Sequence, residues 1–158
     1  MSPIATLLLT VPAVRLFGIV SLLLVVKIIA VGFTTSATRI RRKVYSTPED
    51  YVLNRVTPRG PDEDIERIRR AHQNDLENIL PFFLVGFLYA LTTPSLFGAR
   101  VYFIGFLVAR VLHSVFYVRA LQPHRTIAFT AGMLLLVGML VSTFVRLLAV
   151  TPGPPVPG

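Results

Sequence analysis

The chain contains no cysteine and no tryptophan. The missing thiol excludes disulfides, cysteine-ligated metals and a protein-borne redox sulfur. Acid is almost as scarce, with eight Asp and Glu in 158 residues against sixteen Lys and Arg. Only 15% of residues are charged and 53% are hydrophobic. A chain this apolar has no driving force towards disorder. It is also poorer in charge than an ordinary soluble domain, which carries roughly 25%. The length allows one soluble domain or a bundle of a few membrane helices.

What charge there is lies in one region. All eight acids fall between Glu49 and Glu77, and nine of the sixteen bases between Arg39 and Arg70. Residues 79–99 and 126–145 carry none, over 21 and 20 positions. Roughly 20 apolar residues cross a bilayer core as a helix, so both segments are transmembrane candidates. Residues 4–38 carry only Arg15 and Lys27, and residues 101–118 only Arg110 and His113. The reading is all-α and membrane-embedded: a single domain over 1–158 with four spanning helices near 12–42, 64–91, 97–119 and 125–149. A loop at 43–63 and a disordered tail at 151–158 complete it. Thr92-Thr93-Pro94-Ser95 and Leu121-Gln122-Pro123-His124 supply the turns. Thr47-Pro48-Glu49-Asp50 has the form of a short helix start.

Basic residues orient the bundle. Segments 39–70 and 119–125 hold eleven of them, while the opposite side has only Arg15, Arg100 and Arg146 near helix ends. The positive-inside rule puts the 43–63 loop in the cytosol and both termini across the membrane. No basic region precedes the first apolar run, so a cleavable signal peptide is not expected. The net charge of +8 invites a nucleic-acid reading, but no binding motif accompanies it. The run at 39–43 fits a cytosolic stop against anionic lipid. Lys27 reads as paired or snorkelling, with no assigned role. Three scattered histidines form no metal site.

Ionisable groups at membrane depth need partners or a polar cavity. Helical spacing puts Arg70, Asn74 and Glu77 on one stripe, continued by Pro81. That stripe fits a zwitterionic ligand, or an internal ion-pair network tying helices together; spacing leaves both open. Arg110, His113 and Tyr117 form a second stripe, and Arg125, Thr126, Phe129 and Thr130 open the last helix.

Residues 66–82 (ERIRRAHQNDLENILPF) closely resemble the second-helix signature of the MAPEG family, the membrane-associated proteins in eicosanoid and glutathione metabolism. Residues 42–50 (RKVYSTPED), 109–117 (ARVLHSVFY) and 122–125 (QPHR) agree with that family in order and spacing, so the similarity covers about residues 20–148. The resemblance implies a homotrimer of four-helix subunits in the endoplasmic reticulum, with glutathione between subunits near the cytosolic side. It implies glutathione contacts from Arg39, Arg70, Asn74, Glu77, His113, Tyr117, Arg125 and Thr126, with Gln73, Arg110, Phe129 and Thr130 lining the cavity. Arg125 matches the arginine beside the glutathione sulfur, and Asp50 an acid acting with it. Where the family's transferases carry a loop cysteine this chain has Tyr51, so activation by thiol modification is not expected.

The implied activity is a transferase or peroxidase that turns the glutathione thiolate on hydrophobic electrophiles or lipid hydroperoxides. Isomerisation of an endoperoxide to prostaglandin E, with glutathione as cofactor, is the alternative. A channel or scaffold without turnover is the remote one. No metal and no nucleic acid are expected as partners; glutathione, a lipid-derived substrate, the bilayer and the chain's own copies are.

Overall fold

The computed structural model describes residues 2–149. The expected tail at 151–158 lies outside the described residues. Those residues form six helices: α1 (Pro3–Thr10), α2 (Pro12–Arg42), α3 (Pro48–Leu53), α4 (Glu63–Leu91), α5 (Leu96–Val118) and α6 (His124–Leu148). The fold is all-α. Three of the helices, α2, α5 and α6, are long and apolar enough to cross a membrane. The fourth long helix, α4, is charged through its first half and apolar only beyond.

Local chemistry sets the breaks. Pro12 disfavours helical geometry at the residue before it, and Val11 is extended (φ −113°, ψ 94°), which splits α1 from α2. Lys43 ends α2 in the left-handed region (φ 54°). There the Val44 N–H donates to the Arg39 carbonyl at 3.1 Å and the Lys43 N–H to the Ile40 carbonyl at 3.2 Å. This satisfies carbonyls that a helix end leaves unpaired. Ala120 (φ 56°) closes α5 in the same way, with Leu121 N–H donating to Phe116 at 2.9 Å. Pro48 begins α3 in its first turn, with Glu49 and Asp50 behind it. Ser95 caps α5 through the Gly98 N–H at 3.2 Å.

α4 and α5 form the middle of the molecule. Each packs on the other and on both α2 and α6, while α2 and α6 do not touch. One half of the interior is aromatic: Phe82 stacks on Phe106 (4.5 Å, 5°), and Phe17 reaches Phe82, Phe87 and Phe103. Gly86 permits this approach, because a Cβ there would lie 2.8 Å from the Phe17 ring. The outward surface is also apolar, with Leu22, Leu84, Leu134 and Phe144 exposed. Apolar outside and polar residues gathered inside is the arrangement a lipid environment demands.

The 43–62 connection is clamped rather than loose. Arg42 Nη1 donates to both carboxylate oxygens of Asp62 (2.8 and 2.7 Å), and Nη2 donates to Asp64 at 2.6 Å. Asp62 also caps α4, accepting from the N–H groups of Asp64 and Ile65 at 3.1 Å. The Arg42 hydrogen bond, with these backbone donors behind it, holds the Asp62 carboxyl below its ordinary value. A depressed carboxylate stabilises the fold above its unfolded value, near pH 4, and loses that contribution as pH falls through the folded value. Limited proteolysis of the loop should therefore accelerate as pH drops below about 4. Asp62→Asn should remove most of that acid dependence.

Candidate functional site

The second half of the interior is polar and is built from three helices. Asp75 of α4, 0% exposed, sits at its centre. Lys27 of α2 donates to Asp75 Oδ2 and, at 2.6 Å, to the Ser114 hydroxyl of α5. Ser114 in turn donates to Asp75 Oδ2 at 3.1 Å. Arg110 of α5, 1% exposed, reaches Asp75 Oδ1 at 2.7 Å through Nη2. The same nitrogen donates to Asn74 Oδ1 at 2.8 Å.

From Arg110 a continuous band of polar and aromatic groups runs along α5 to the start of α6. His113 lies one turn on, buried, with its ring 5.5 Å from Tyr117 and 5.8 Å from Phe129. The Arg125 guanidinium lies over the Tyr117 ring, 4.6 Å from its centroid. A cation over an aromatic face is held there by the ring quadrupole. The Gln122 amide packs against both Arg125 and Thr126. With its carbonyl turned towards the guanidinium, Gln122 accepts from Arg125 Nε at 3.0 Å and donates to the Thr126 hydroxyl at 3.1 Å. Among the described residues Arg125 enters no ion pair. It is a half-buried cation.

The α4 stripe faces outward. Arg70, Gln73 and Glu77 are exposed and Asn74 is half-buried. Arg70 Nε donates to the Glu66 carbonyl at 3.3 Å, and Gln73 donates to Glu77 at 3.1 Å. Neither Arg70 nor Glu77 forms an ion pair among the described residues. Of the two readings the spacing left open, interhelical ion pairing is therefore not made by Arg70 and Glu77. The helix-to-helix tie runs through Asn74 and Asp75. Pro81 lies four residues beyond Glu77 and has no N–H to give the Glu77 carbonyl. Thr126 and Thr130 are exposed on α6, and Phe129 is half-buried.

Arg39 and Asp50 belong to another cluster. With Ser36, Tyr45, Ser46 and Asn54 they line an open recess of about 410 Å³ between the end of α2 and α3. Arg39 lies 3.9 Å from Glu66. Within one chain the structure does not join this recess to Arg125, and Asp50 and Arg125 form no ion pair. The reason is topological: Asp50, on α3, shares its recess with the end of α2, Arg125 begins α6, and α2 and α6 do not touch. Tyr51 is buried, with its ring edge-on to Tyr45 at 5.3 Å, so it serves packing.

The sequence reading has Lys27 paired or snorkelling without a role, and the structure pairs it with Asp75; the reading missed Asp75 and Ser114. A signal for Asp75 was present. Lys27 lies mid-run in 4–38, away from Arg15 near its helix end, and Arg110 is the only full charge in 101–118; each needs a carboxylate at that depth. Asp75, one residue off the ligand stripe, is the acid embedded at matching depth. No three or more His, Asp or Glu residues gather as a metal-binding group among the described residues.

Known proteins resemble this chain in sequence. Human prostaglandin E synthase is 39% identical over 135 residues, covering 84% of this chain and 88% of that protein. Rat microsomal glutathione S-transferase 1 is 39% identical over 116 residues, 70% and 75% of the two chains. The pig transferase of the same name is 41% identical over 112 residues, covering 67% and 72%. Residues 17–145 match the MAPEG family, a span that takes in the α4 stripe, the buried cluster and Arg125. On that span, and on relatives this similar, the chain belongs to the MAPEG family.

Proposed function

We propose that this protein is a glutathione-dependent membrane transferase and peroxidase. It turns the glutathione thiolate on hydrophobic electrophiles or lipid hydroperoxides. The observation that carries this is Arg125: a half-buried guanidinium, seated on Tyr117, with no acid among the described residues to neutralise it. A free thiol has a pKa near 8.5 and is mostly protonated at neutral pH. An adjacent cation favours its anion, and the same cation stabilises negative charge developing on the electrophile. In conjugation the sulfur forms a bond to the electrophilic carbon, and the leaving group departs with the bonding pair.

The exposed α4 stripe suits the rest of the tripeptide. Arg70 offers a guanidinium to a carboxylate, Glu77 a carboxylate to an ammonium, and Asn74 an amide between them. Holding the tripeptide this way makes attack an effectively local reaction. Gln73, Thr126, Phe129 and Thr130 border the same surface.

The stripe is exposed in a single chain, and Leu76, Leu80, Leu84 and Leu91 continue it as an apolar line on α4. Both features support a homotrimer with glutathione between subunits. Across that interface Arg39 and Asp50 of one copy would join Arg125 of another, with Asp50 as the acid acting beside the arginine. α4 would then be a fourth span, its apolar half in the bilayer and its charged half projecting into the cytosol with the 43–62 loop. Both termini would be lumenal, in the endoplasmic reticulum.

The second reading is a glutathione-dependent prostaglandin E synthase. It is favoured by the longer alignment with the human synthase, 84% of this chain against 67–70% for the transferases quoted above. Saturable binding of glutathione to the detergent-solubilised protein tests both, and its absence leaves only a channel or scaffold. Product analysis then separates them. Conjugation of a chlorodinitrobenzene-type electrophile is expected for the transferase. Conversion of an endoperoxide to prostaglandin E without glutathione consumption would assign the synthase.

A further inference from the structure

The charge in the middle of the bundle does not balance. Lys27 and Arg110 bring two formal positive charges and Asp75 one negative, leaving a surplus of one. All three are shielded: the side chains of Lys27, Asp75 and Arg110 are 11%, 0% and 1% exposed. Arg110 Nε is buried without an acceptor, and His113 Nδ1, on the same side of α5, is buried without a partner. The cluster is thus positive in charge with an unused guanidinium donor, and its Arg110 is on the helix that carries Tyr117 and, through that ring, meets Arg125.

We propose that the buried Lys27–Asp75–Arg110 cluster is a fixed positive charge that stabilises the thiolate bound at the Tyr117–Arg125 end of the polar band. This makes Lys27 a positioning residue for charge: it touches neither the thiol nor the second substrate. The inference rests on the glutathione reading above. Arg110 is also bound to Asn74, so its removal would disturb a ligand-facing amide. Among the described residues Lys27 hydrogen-bonds Asp75 and Ser114 and none of the ligand-facing groups, which makes it the clean position at which to change the charge.

The distance sets the size of the effect. Lys27 meets α5 at Ser114, and Arg110 lies two turns before Tyr117, so the cluster's charge sits within about 10 Å of Tyr117 along the axis. One unit charge at that range, in an effective dielectric of about 20, moves a thiol pKa by roughly one unit. Screening by salt is weak for a buried charge. The other charged or titratable groups on neighbouring turns of the packed helices are Arg70, His72 and Glu77 on α4, His113 and Tyr117 on α5 and His124 and Arg125 on α6. None of these is changed by a substitution at Lys27.

The test is a pH titration of the thiolate absorbance of bound glutathione, with the pH profile of kcat/KM beside it, in Lys27→Met, Lys27→Gln and Lys27→Arg. Lys27→Met leaves Asp75 its bonds to Arg110 and Ser114. Lys27→Gln keeps a donor to Asp75 while removing the same charge. Both are expected to raise the bound-thiol pKa by roughly one unit and shift the rate profile with it. Lys27→Arg, which preserves the charge, should track the wild type. An unmoved pKa in the two neutral variants overturns the proposal, as does an equal shift in Lys27→Arg. Loss of folding in both neutral variants would make Lys27 a structural tie and overturn it too. If the wild type binds no glutathione, the functional reading fails first. If it binds and ionises glutathione but Lys27 is inert, only this inference fails.

Discussion

Arg125→Ala is expected to lower turnover by about 10²–10³-fold while leaving the fold intact. The guanidinium lies at the surface end of the polar band, stacked on Tyr117 and bonded by the Gln122 amide. No helix depends on it for an ion pair. Its removal costs a cation–π contact worth about 0.5–1 kcal/mol at an exposed site. It removes, in contrast, the nearest cation to the proposed thiolate and to the charge that develops during attack. The measurement is kcat/KM for conjugation, alongside gel filtration and thermal denaturation in the same detergent. Unchanged turnover in a folded Arg125→Ala protein would sink the mechanism. Arg125→Lys should recover part of the activity, because it restores the charge without the planar fork.

Asp75→Ala is expected to do the reverse: destabilise the bundle by about 3–5 kcal/mol whatever its effect on chemistry. Asp75 is the only acid in the buried cluster, and it ties together α2, α4 and α5 through Lys27, Arg110 and Ser114. Without it two like charges remain buried with no counterion. Denaturation in mixed micelles should show the loss directly. Asp75→Ala and Arg125→Ala therefore separate the two roles of charge in this chain. If Asp75→Ala were as stable as the wild type, the cluster could not be the tie the geometry describes.

Much of the architecture is readable from local rules. Apolar runs, the turn residues around Thr92–Ser95 and Leu121–His124, and the Pro48 helix start all act over a few positions. α1 was not anticipated: the reading began its first helix at residue 12, where Pro12 breaks the chain, and left the short apolar stretch before it unassigned. The ligand stripe was readable as well, since helical period alone brings Arg70, Asn74 and Glu77 together. Which of those groups pairs with which was not. Arg70 and Glu77 share a stripe and do not bond each other, whereas Asn74 bonds a residue 36 positions away.

By itself the sequence determined an all-helical membrane chain, its family, and a set of polar stripes suited to an anionic, zwitterionic ligand. Those properties follow from hydropathy, periodicity and motif, which are written along the chain. Only the tertiary structure decided that Lys27 belongs to Asp75, that Arg110 steadies Asn74, and that Arg125 is left without an acid while Asp50 sits in a separate recess. The physical reason is that a buried charge's partner depends on how far each helix is rotated about its axis and which helices touch. Packing of Phe17, Phe82 and Phe106 at the far end of the bundle helps to set that rotation.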